Sequence, residues 1–255
     1  MCKQQIFRPS CGSIAIRYLV EGSKKMISGN EWLAPMAESN GILMFAFTLL
    51  ALFLVRLLHV FYNAGKALRS TCMKPRSTLI VLGSGGHTAE MLNLLSVLEK
   101  DRFMPRYYVA AATDNMSLQK AQTFESSSNN AMEISNAQYM QIYRSREVGQ
   151  SYITSVLTTL IAIVHAVWLM IKIRPQVVLC NGPGTCIPLC GIAFIFKVLG
   201  IRWSSIFYVE SIARVKRLSF SGLLLYKPRI ADQVYVQWPQ LQRMYPRSIY
   251  VGCLM

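Results

Sequence analysis

The sequence predicts an α/β fold in which one N-terminal transmembrane helix precedes a doubly wound parallel sheet. Three observations support this prediction. Short, apolar, β-branched segments recur from Thr78 onward, helix-length segments separate them, and an uncharged apolar run lies ahead of the first. Buried strands that alternate with helices are typical of a Rossmann-like sheet covered on both faces.

The membrane anchor is predicted at residues 41–62, which read GILMFAFTLLALFLVRLLHVFY. No charge interrupts Gly41 to Val55, and a helix needs about 20 apolar residues to cross a bilayer. Arg56 follows near one end of the run, where a long side chain can reach the interface. A buried core helix is the alternative interpretation.

The distribution of charge indicates which side of the membrane holds the rest of the chain. The net charge of +15 divides into +7 for residues 1–76, −1 for residues 77–150 and +9 for residues 151–255. Basic residues follow the anchor, so the positive-inside rule predicts that residues 77–255 form a cytosolic domain. Residues 1–40 would then be lumenal, and their lack of periodicity predicts poor order. The chain is both apolar and basic, which indicates contact with a membrane surface. No stacking motif is interleaved with the basic residues, so nucleic-acid binding is not predicted.

Six strands are predicted in the cytosolic domain. The stretch between the second and third, residues 113–140, is polar, and Ser126–Asn130 predicts a loop. The predicted strands are Thr78–Leu82, Tyr107–Ala112, Val177–Cys180, Ile206–Glu210, Val234–Gln237 and Ser248–Val251.

Residues 152–171 carry no charge and are long enough to span a membrane. Spanning would place the strands before and after them on opposite sides of the bilayer, where the strands could not share a sheet. We therefore predict a core or interfacial helix. An interfacial position suits Trp168 and the flanking Lys172 and Arg174.

The turn after the first strand is the main candidate for ligand binding. Its glycines free backbone N–H groups, and the N-terminus of the next helix adds partial positive charge, so the turn suits a phosphate or a sugar. The third glycine of a dinucleotide fingerprint and the lysine of a Walker loop are both missing, and a plain tight turn is the alternative. His87 follows at this edge of the sheet, placed like a general base. The turn consists of Gly83, Ser84, Gly85 and Gly86.

A second turn and a carboxylate beside a basic cluster complete the candidate site. Asn181, Gly182 and Gly184 follow another strand on the same sheet edge and could form the opposite wall of a crevice. Glu210 is the second candidate catalytic residue, because it ends a strand where it can hydrogen-bond a sugar or pair with Arg214. Arg214 begins a basic cluster that suits lipid headgroups or a pyrophosphate. Plain turns, a structural salt bridge and a solvated basic face are the alternatives.

No metal or cofactor site is predicted. The seven cysteines lack C-x-x-C spacing and a neighbouring histidine, so we interpret them as small buried apolar residues. Asn115-Met116-Ser117 is a glycosylation sequon that a cytosolic position would leave unused.

Four segments resemble one known family. They occur in order between Thr78 and Gly252, and the preceding anchor agrees with the resemblance, whereas the first 40 residues lie outside it. The family is the membrane-anchor subunit of the two-part UDP-N-acetylglucosamine transferase of dolichol-linked oligosaccharide synthesis. The segments are Gly83–Glu90 (GSGGHTAE), Asn181–Thr185 (NGPGT), Tyr208–Val215 (YVESIARV) and Tyr235–Pro239 (YVQWP).

This resemblance implies the N-terminal, acceptor-binding half of a GT-B glycosyltransferase. The half that binds UDP-GlcNAc is then a separate soluble subunit, which this chain recruits to the cytosolic face of the endoplasmic reticulum. The complex adds the second GlcNAc to GlcNAc-diphospho-dolichol, with inversion to a β1,4 linkage, in N-linked glycosylation. Residues 77–255 suffice for only one of the two GT-B domains, so the chain alone is expected to be inactive.

The implied partners are the soluble catalytic subunit, the membrane and the lipid-linked acceptor. The enzyme that makes the preceding or the following glycolipid is a further candidate. Other hypotheses are a purely structural membrane recruiter and a complete enzyme that acts alone. The resemblance also assigns partner docking to the apolar C-terminal tail, whose cysteine is misplaced for prenylation. The tail residues are Tyr250, Val251, Gly252, Cys253, Leu254 and Met255.

Overall fold

The computed structural model describes residues 34–64, 74–128, 137–143, 152–182 and 184–254. The chain divides into two units, Met1–Val55 and Arg56–Met255, and the second holds a seven-stranded sheet. In chain order the elements are α1 (Ala34–Asn63), β1 (Thr78–Val81), α2 (Gly86–Val97), a 3-10 turn (Lys100–Phe103), β2 (Arg106–Ala111), α3 (Asn115–Ser128), β3 (Ala137–Ile142), α4 (Tyr152–Ile173), β4 (Val177–Asn181), α5 (Cys186–Leu199), β5 (Ser205–Val209), α6 (Phe220–Tyr226), β6 (Gln233–Val236), α7 (Pro239–Met244) and β7 (Ile249–Tyr250).

Helix α1 contains the predicted anchor. Over Gly41–Asn63 it is long and apolar enough to cross a membrane, and residues 41–55 are all exposed. The helix begins at Ala34, ahead of the predicted run. The rest of the predicted N-terminal segment lies outside the described residues.

The sheet is parallel throughout, with the strand order β3-β2-β1-β4-β5-β6-β7. The chain runs outward from β1 to β3, returns to β4 beside β1, and then runs outward in the other direction. This confirms the doubly wound, Rossmann-like prediction. It also confirms that residues 152–171 do not separate β1 from β4 by a membrane, since those two strands pair directly.

Helices cover both faces of the sheet, because successive strand residues point to opposite sides. On one face, Met91 and Leu95 of α2 pack with Leu118 of α3 against the strands. On the other, Leu169 of α4 and Leu189 of α5 belong to a second buried cluster. Each of these four helices therefore contributes an apolar side to one of these two clusters.

The loop predicted at Ser126–Asn130, within the polar stretch 113–140, is wrong for residues 126–128, and its last two residues lie outside the described part of the chain. The polar stretch contains α3, which includes Ser126–Ser128 of the predicted loop, and the edge strand β3. Of the strand's six residues only Ile142 is buried, since β3 pairs with β2 alone and one side faces solvent. Partial burial leaves no continuous apolar run by which the strand could have been predicted.

The cysteines mostly follow the prediction. Cys180, Cys186 and Cys190 are buried, whereas Cys253 is exposed, which corrects the prediction for that residue. The other three cysteines lie outside the described residues. Within the described part of the chain, no group of three or more His, Cys, Asp or Glu side chains could hold a metal ion.

Candidate active site

The candidate site lies at the carboxyl ends of β1 and β4. These strands pair in register, with Val81 beside Cys180, so the turns that follow them lie side by side. This is the topological switch point of the sheet, where chain direction reverses and open α/β folds bind ligands. The structure thus brings together the two glycine-rich turns singled out from the sequence.

The first turn has a fixed conformation. Gly85 has φ 63° and ψ −118°, a backbone conformation that favours glycine. The carbonyl of Gly83 accepts hydrogen bonds from the Thr88 and Ser117 hydroxyls. Helix α2 begins at Gly86 without a side-chain cap, so its first N–H groups lack helical partners. The turn therefore presents backbone donors that its neighbours hold in place.

The second turn presents another helix N-terminus at the same edge. Helix α5 starts after Thr185, whose side chain makes no cap hydrogen bond. The Thr185 hydroxyl oxygen is buried and has no hydrogen-bond partner among the described residues. A small cleft of about 30 Å³ lies between the turns, and Gly83, Ser84, Gly184, Thr185 and Asp114 are among the residues that line it. Two helix N-termini and an unpaired hydroxyl suit an anion.

His87 and Asn181, which the sequence assigned to separate turns, are hydrogen-bonded. The distance from His87 Nδ1 to Asn181 Oδ1 is 3.2 Å. The Asn181 amide donates through Nδ2 to Glu90 Oε2 at 2.9 Å, which assigns Oδ1 as the acceptor toward the histidine. His87 therefore carries its proton on Nδ1 and leaves Nε2 free to accept one.

Glu90 is buried, and its carboxylate collects donors from the ends of three strands. It accepts from Asn181 after β4, from Ser211 Oγ (2.8 Å) and Ile212 N (3.3 Å) after β5, and from Gln237 Nε2 (3.4 Å) after β6. We name these five residues the Glu90 network. It joins α2 to the loop after β5 and fixes the orientation of Asn181.

Gly182 lies directly against the His87 ring. It has φ +66°, and a Cβ atom there would lie 2.5 Å from His87 Cε1 and 2.7 Å from Nδ1. Any other residue at 182 would thus displace the imidazole from its contact with Asn181. This close approach explains glycine at this position in physical terms.

Glu210 does not face the crevice as a free carboxylate. It is fully buried, and Oε2 accepts from Ser219 N at 2.8 Å and from Ser219 Oγ at 3.0 Å. Burial raises the pKa of the Glu210 carboxyl, and the hydrogen bonds from Ser219 and Ser211 oppose that rise. A structural salt bridge with Arg214, which was the alternative interpretation of this residue, is absent from the ion pairs of the described residues. Glu210 closes the loop from residue 210 to 219.

That loop carries the basic cluster at the same edge of the sheet. Arg214, Lys216 and Arg217 are exposed on it. Ser211 and Ile212 tie the loop to Glu90, as described above. The loop follows β5, the neighbour of β4 in the sheet, and therefore holds exposed positive charge at the strand end beside that of β4.

The C-terminal tail lies beside an apolar cavity of about 240 Å³ on the α2 face of the sheet. Val251 and Leu254 line the cavity, and Leu254 N donates to Gln237 Oε1 at 3.0 Å. Gly252 has a left-handed φ of 79°, Cys253 is exposed, and Met255 lies outside the described residues. We name this cavity the open groove; its other lining residues are Leu94, Leu98, Phe103, Val177, Leu179, Phe207, Val209 and Tyr235.

Sequence reasoning did not identify Glu90, Asp114, Thr185 or Gln237 as site residues. Glu90 had one available signal, because it lies three residues after His87 and so near the same face of α2. Thr185 could have been noted as the residue before the α5 N-terminus. Asp114 and Gln237 follow strands in unremarkable local sequence.

Comparisons with known proteins agree on one family. The family model described as "Oligosaccharide biosynthesis protein Alg14 like" matches residues 78–254. The UDP-N-acetylglucosamine transferase subunit ALG14 of Rattus norvegicus is 45% identical over 193 residues, covering 72% of this chain and 87% of that protein. The ALG14 subunit of Yarrowia lipolytica is 41% identical over 217 residues, covering 84% and 98%.

Among solved structures, MurG of Acinetobacter baumannii matches 70% of this chain and 45% of its own, with a TM-score of 0.48 and 17% identity.

Proposed function

This chain belongs to the Alg14 family, and on that premise we propose that it is the membrane-anchored, acceptor-side subunit of a two-part UDP-N-acetylglucosamine transferase. The names of its relatives support a subunit role. The complex adds the second GlcNAc to GlcNAc-diphospho-dolichol, and a separate soluble subunit holds UDP-GlcNAc. Recruitment of that subunit to the membrane is the chain's second task.

The observation that carries this proposal is the crevice between β1 and β4. Each helix N-terminus there bears a partial charge of roughly half a unit, and both helices lack side-chain caps. The Thr185 hydroxyl and the exposed Arg214 add donors for a diphosphate. Asp114 supplies a carboxylate on the cleft lining, which suits the hydroxyl groups of the acceptor sugar.

His87 acts in this proposal as the general base. Its free Nε2 takes the proton of the acceptor hydroxyl while that oxygen forms a bond to the anomeric carbon of the donor GlcNAc. The bond from that carbon to UDP breaks, UDP leaves with the electron pair, and the configuration inverts. Asn181 and Glu90 hold the ring and its tautomer through the contacts described above.

The open groove is the proposed docking site of the soluble subunit. Helices α2 and α3 pack on this face of the sheet in the described part of the chain, and residues of β4, β5 and β6 line the groove beside them. An apolar segment of the partner can fill the groove together with the tail. The sequence-based assignment of docking to Tyr250–Met255 is retained on this ground.

The proposed topology follows the charge distribution. Residues 41–62 cross the membrane of the endoplasmic reticulum once, residues 1–40 are lumenal, and residues 77–255 form the cytosolic domain. The spanning length of α1 supports the anchor, and the basic residues after the anchor support the orientation.

Reconstitution tests the proposed function. We expect vesicles that carry the full chain, the soluble subunit, GlcNAc-diphospho-dolichol and UDP-GlcNAc to form the disaccharide lipid, and either protein alone to form none. The control is the soluble subunit fused to an unrelated membrane anchor. Full activity of that fusion without this chain would show a purely structural recruiter.

A single substitution in the tail tests the docking site. We expect Leu254→Asp to weaken the binding of the soluble subunit by about 100-fold, because burying a leucine side chain contributes roughly 1.5–3 kcal/mol and a buried carboxylate costs more. A titration of soluble subunit onto purified chain measures the change. Gln242→Ala is the control, because Gln242 is exposed on α7 and lies outside both the tail and the lining of the groove. Wild-type affinity after removal of Tyr250–Met255 would place the interface elsewhere.

A further inference from the structure

Gln237 links the C-terminal tail to the Glu90 network through the two ends of one buried amide. The backbone N–H of Leu254 donates to Gln237 Oε1 at 3.0 Å. At the other end of the amide, Gln237 Nε2 donates to Glu90 Oε2 at 3.4 Å and to the Glu210 carbonyl at 3.1 Å. The Gln237 side chain is 2% exposed, so its hydrogen bonds are made with protein groups and not with bulk water.

A continuous series of hydrogen bonds leads from the tail to His87. A backbone N–H can only donate, so Leu254 fixes Oε1 of Gln237 as the acceptor and leaves Nε2 to face Glu90. Asn181 also donates to Glu90 Oε2, at 2.9 Å, and its Oδ1 lies 3.2 Å from His87 Nδ1. Because Gln237 and Asn181 share one oxygen of Glu90, the position of that oxygen sets the orientation of the Asn181 amide.

The tail that supplies the first donor is weakly held. Ile249 and Tyr250 form the edge strand β7, which pairs with β6 alone, and the N–H of Val251 donates to a carbonyl of β6 at 3.1 Å. These three residues keep 40%, 44% and 42% of their surface exposed. We call the position of the tail in which Leu254 N contacts Gln237 the seated position. A protein that covers the tail there shifts the equilibrium toward it.

Withdrawal of the tail removes the donor from a buried acceptor. A buried carbonyl oxygen without a partner is strongly unfavourable, and rotation of the Gln237 side chain toward water relieves it. The same rotation takes Nε2 away from Glu90, which loses one of its two donors on Oε2 among the described residues. The orientation of Asn181, and with it that of the His87 ring, is then less restricted.

We propose that Gln237 is a positioning residue that makes the orientation of His87 depend on the seated position of the C-terminal tail. Docking of the soluble subunit over the tail holds Leu254 against Gln237, which in turn holds Glu90. Asn181 then keeps the proton of His87 on Nδ1 and leaves Nε2 free. The acceptor site is thereby completed only in the assembled transferase. This inference rests on the proposed function, through tail docking and through His87 as the base.

The tautomer of His87 tests this coupling without any turnover. The full chain in detergent carries isotope-labelled histidine for nitrogen NMR, and the His87 signal is the one that His87→Ala removes. We expect the chain alone to show a mixture of the Nδ1–H and Nε2–H forms, and its complex with the soluble subunit to show a roughly tenfold excess of the Nδ1–H form. Gln237→Met keeps the length of the side chain without its hydrogen bonds, so the mixture should persist in its complex.

Two results of this experiment would overturn the proposal. One is the same mixture of tautomers in the free chain and in the wild-type complex. The other is an Nδ1–H form that predominates in the Gln237→Met complex as it does in the wild-type complex. An inactive wild-type complex that shows the expected tautomers would refute the proposed transferase activity and not the role of Gln237.

Kinetics at saturating soluble subunit distinguish positioning from a merely structural role. We expect Gln237→Met to lower kcat about tenfold and to change the KM for the lipid acceptor by less than about twofold. In a His87→Ala background the same substitution should change the residual rate by less than about twofold, because it acts through the imidazole. An equal loss in both backgrounds would contradict the proposal. Gln240→Met, at an exposed position on α7, is the matched control.

A backbone change isolates the donor on the tail. Leu254→Pro removes the N–H, whereas Leu254→Ala keeps it and also shortens the side chain. At saturating soluble subunit we expect proline to lower kcat about tenfold and alanine to leave it within about twofold. Once Gln237→Met is present, proline should lower kcat by less than about a further twofold. Multiplication of the two separate effects would show that the tail does not act through Gln237.

Discussion

Replacement of His87 by alanine lowers the turnover of the two-subunit transferase by about 10²–10⁴-fold, the contribution that a general base makes to a proton transfer. We expect the KM for the lipid acceptor to change by less than about threefold, because in the proposed site the two helix N-termini, Thr185 and Arg214 hold the diphosphate and the imidazole does not. Initial rates of the reconstituted complex at saturating UDP-GlcNAc measure both quantities. His87 is half-buried at the edge of the sheet, so its loss leaves the core intact.

Asn93→Ala provides the control for this experiment, since Asn93 is exposed on the same helix and outside the Glu90 network. Co-purification of the soluble subunit with the His87 variant shows that assembly is preserved. Turnover near wild type in that assembled complex would rule out His87 as the base. The contribution of this chain would then be binding and recruitment alone.

Replacement of Glu90 by alanine lowers the free energy of unfolding by about 3–5 kcal/mol, because buried donors from three strand ends lose their shared acceptor at once. The donors are Asn181 Nδ2, Ser211 Oγ, Ile212 N and Gln237 Nε2. Denaturant unfolding of the full chain in detergent, followed by circular dichroism, measures the loss.

Two further glutamate variants distinguish the stability lost with the Glu90 network from the stability lost when any glutamate carboxylate is removed. Glu99 is exposed and pairs only across the surface with Arg102 at 3.2 Å, so Glu99→Ala should cost less than about 1 kcal/mol. Glu90→Gln keeps the shape but presents an amide N–H to Asn181, which turns the Asn181 amide over and shifts the His87 proton to Nε2. We expect a smaller stability loss than for alanine, together with a roughly tenfold lower rate. Equal stability of Glu90→Ala and Glu99→Ala would contradict the network.

The central part of the sheet could be predicted from the sequence because its strands are buried on both faces. β1, β4 and β5 have no exposed residue and therefore read as continuous apolar segments. β3 and α3 could not be found in this way. β3 is an edge strand, and α3 buries Ser117 and Glu125 among its core-facing positions, so polarity hides both elements.

Part of the candidate site could likewise be predicted from the sequence, and part could not. The proximity of the two glycine-rich turns follows from the parallel order of the strands, since both turns leave the same edge at adjacent strands. The Glu90 network depends on hydrogen bonds between residues as far as 147 positions apart, and no local pattern encodes those pairs. The role of Glu210 was also hidden from local sequence, because a carboxylate at a strand end has the same local sequence whether it faces a ligand or closes its own loop.

If the soluble subunit docks at the open groove as proposed, the folding equilibrium of this chain depends on the concentration of that subunit. A protein that binds only the folded chain adds RT ln(1 + [L]/Kd) to its stability, about 2.7 kcal/mol at a hundredfold excess over Kd. Without that protein, Val251 and Leu254 line a cavity that water can reach. Under the proposed docking, a shortage of the soluble subunit is therefore expected to lower the abundance of this chain through its unfolding and degradation.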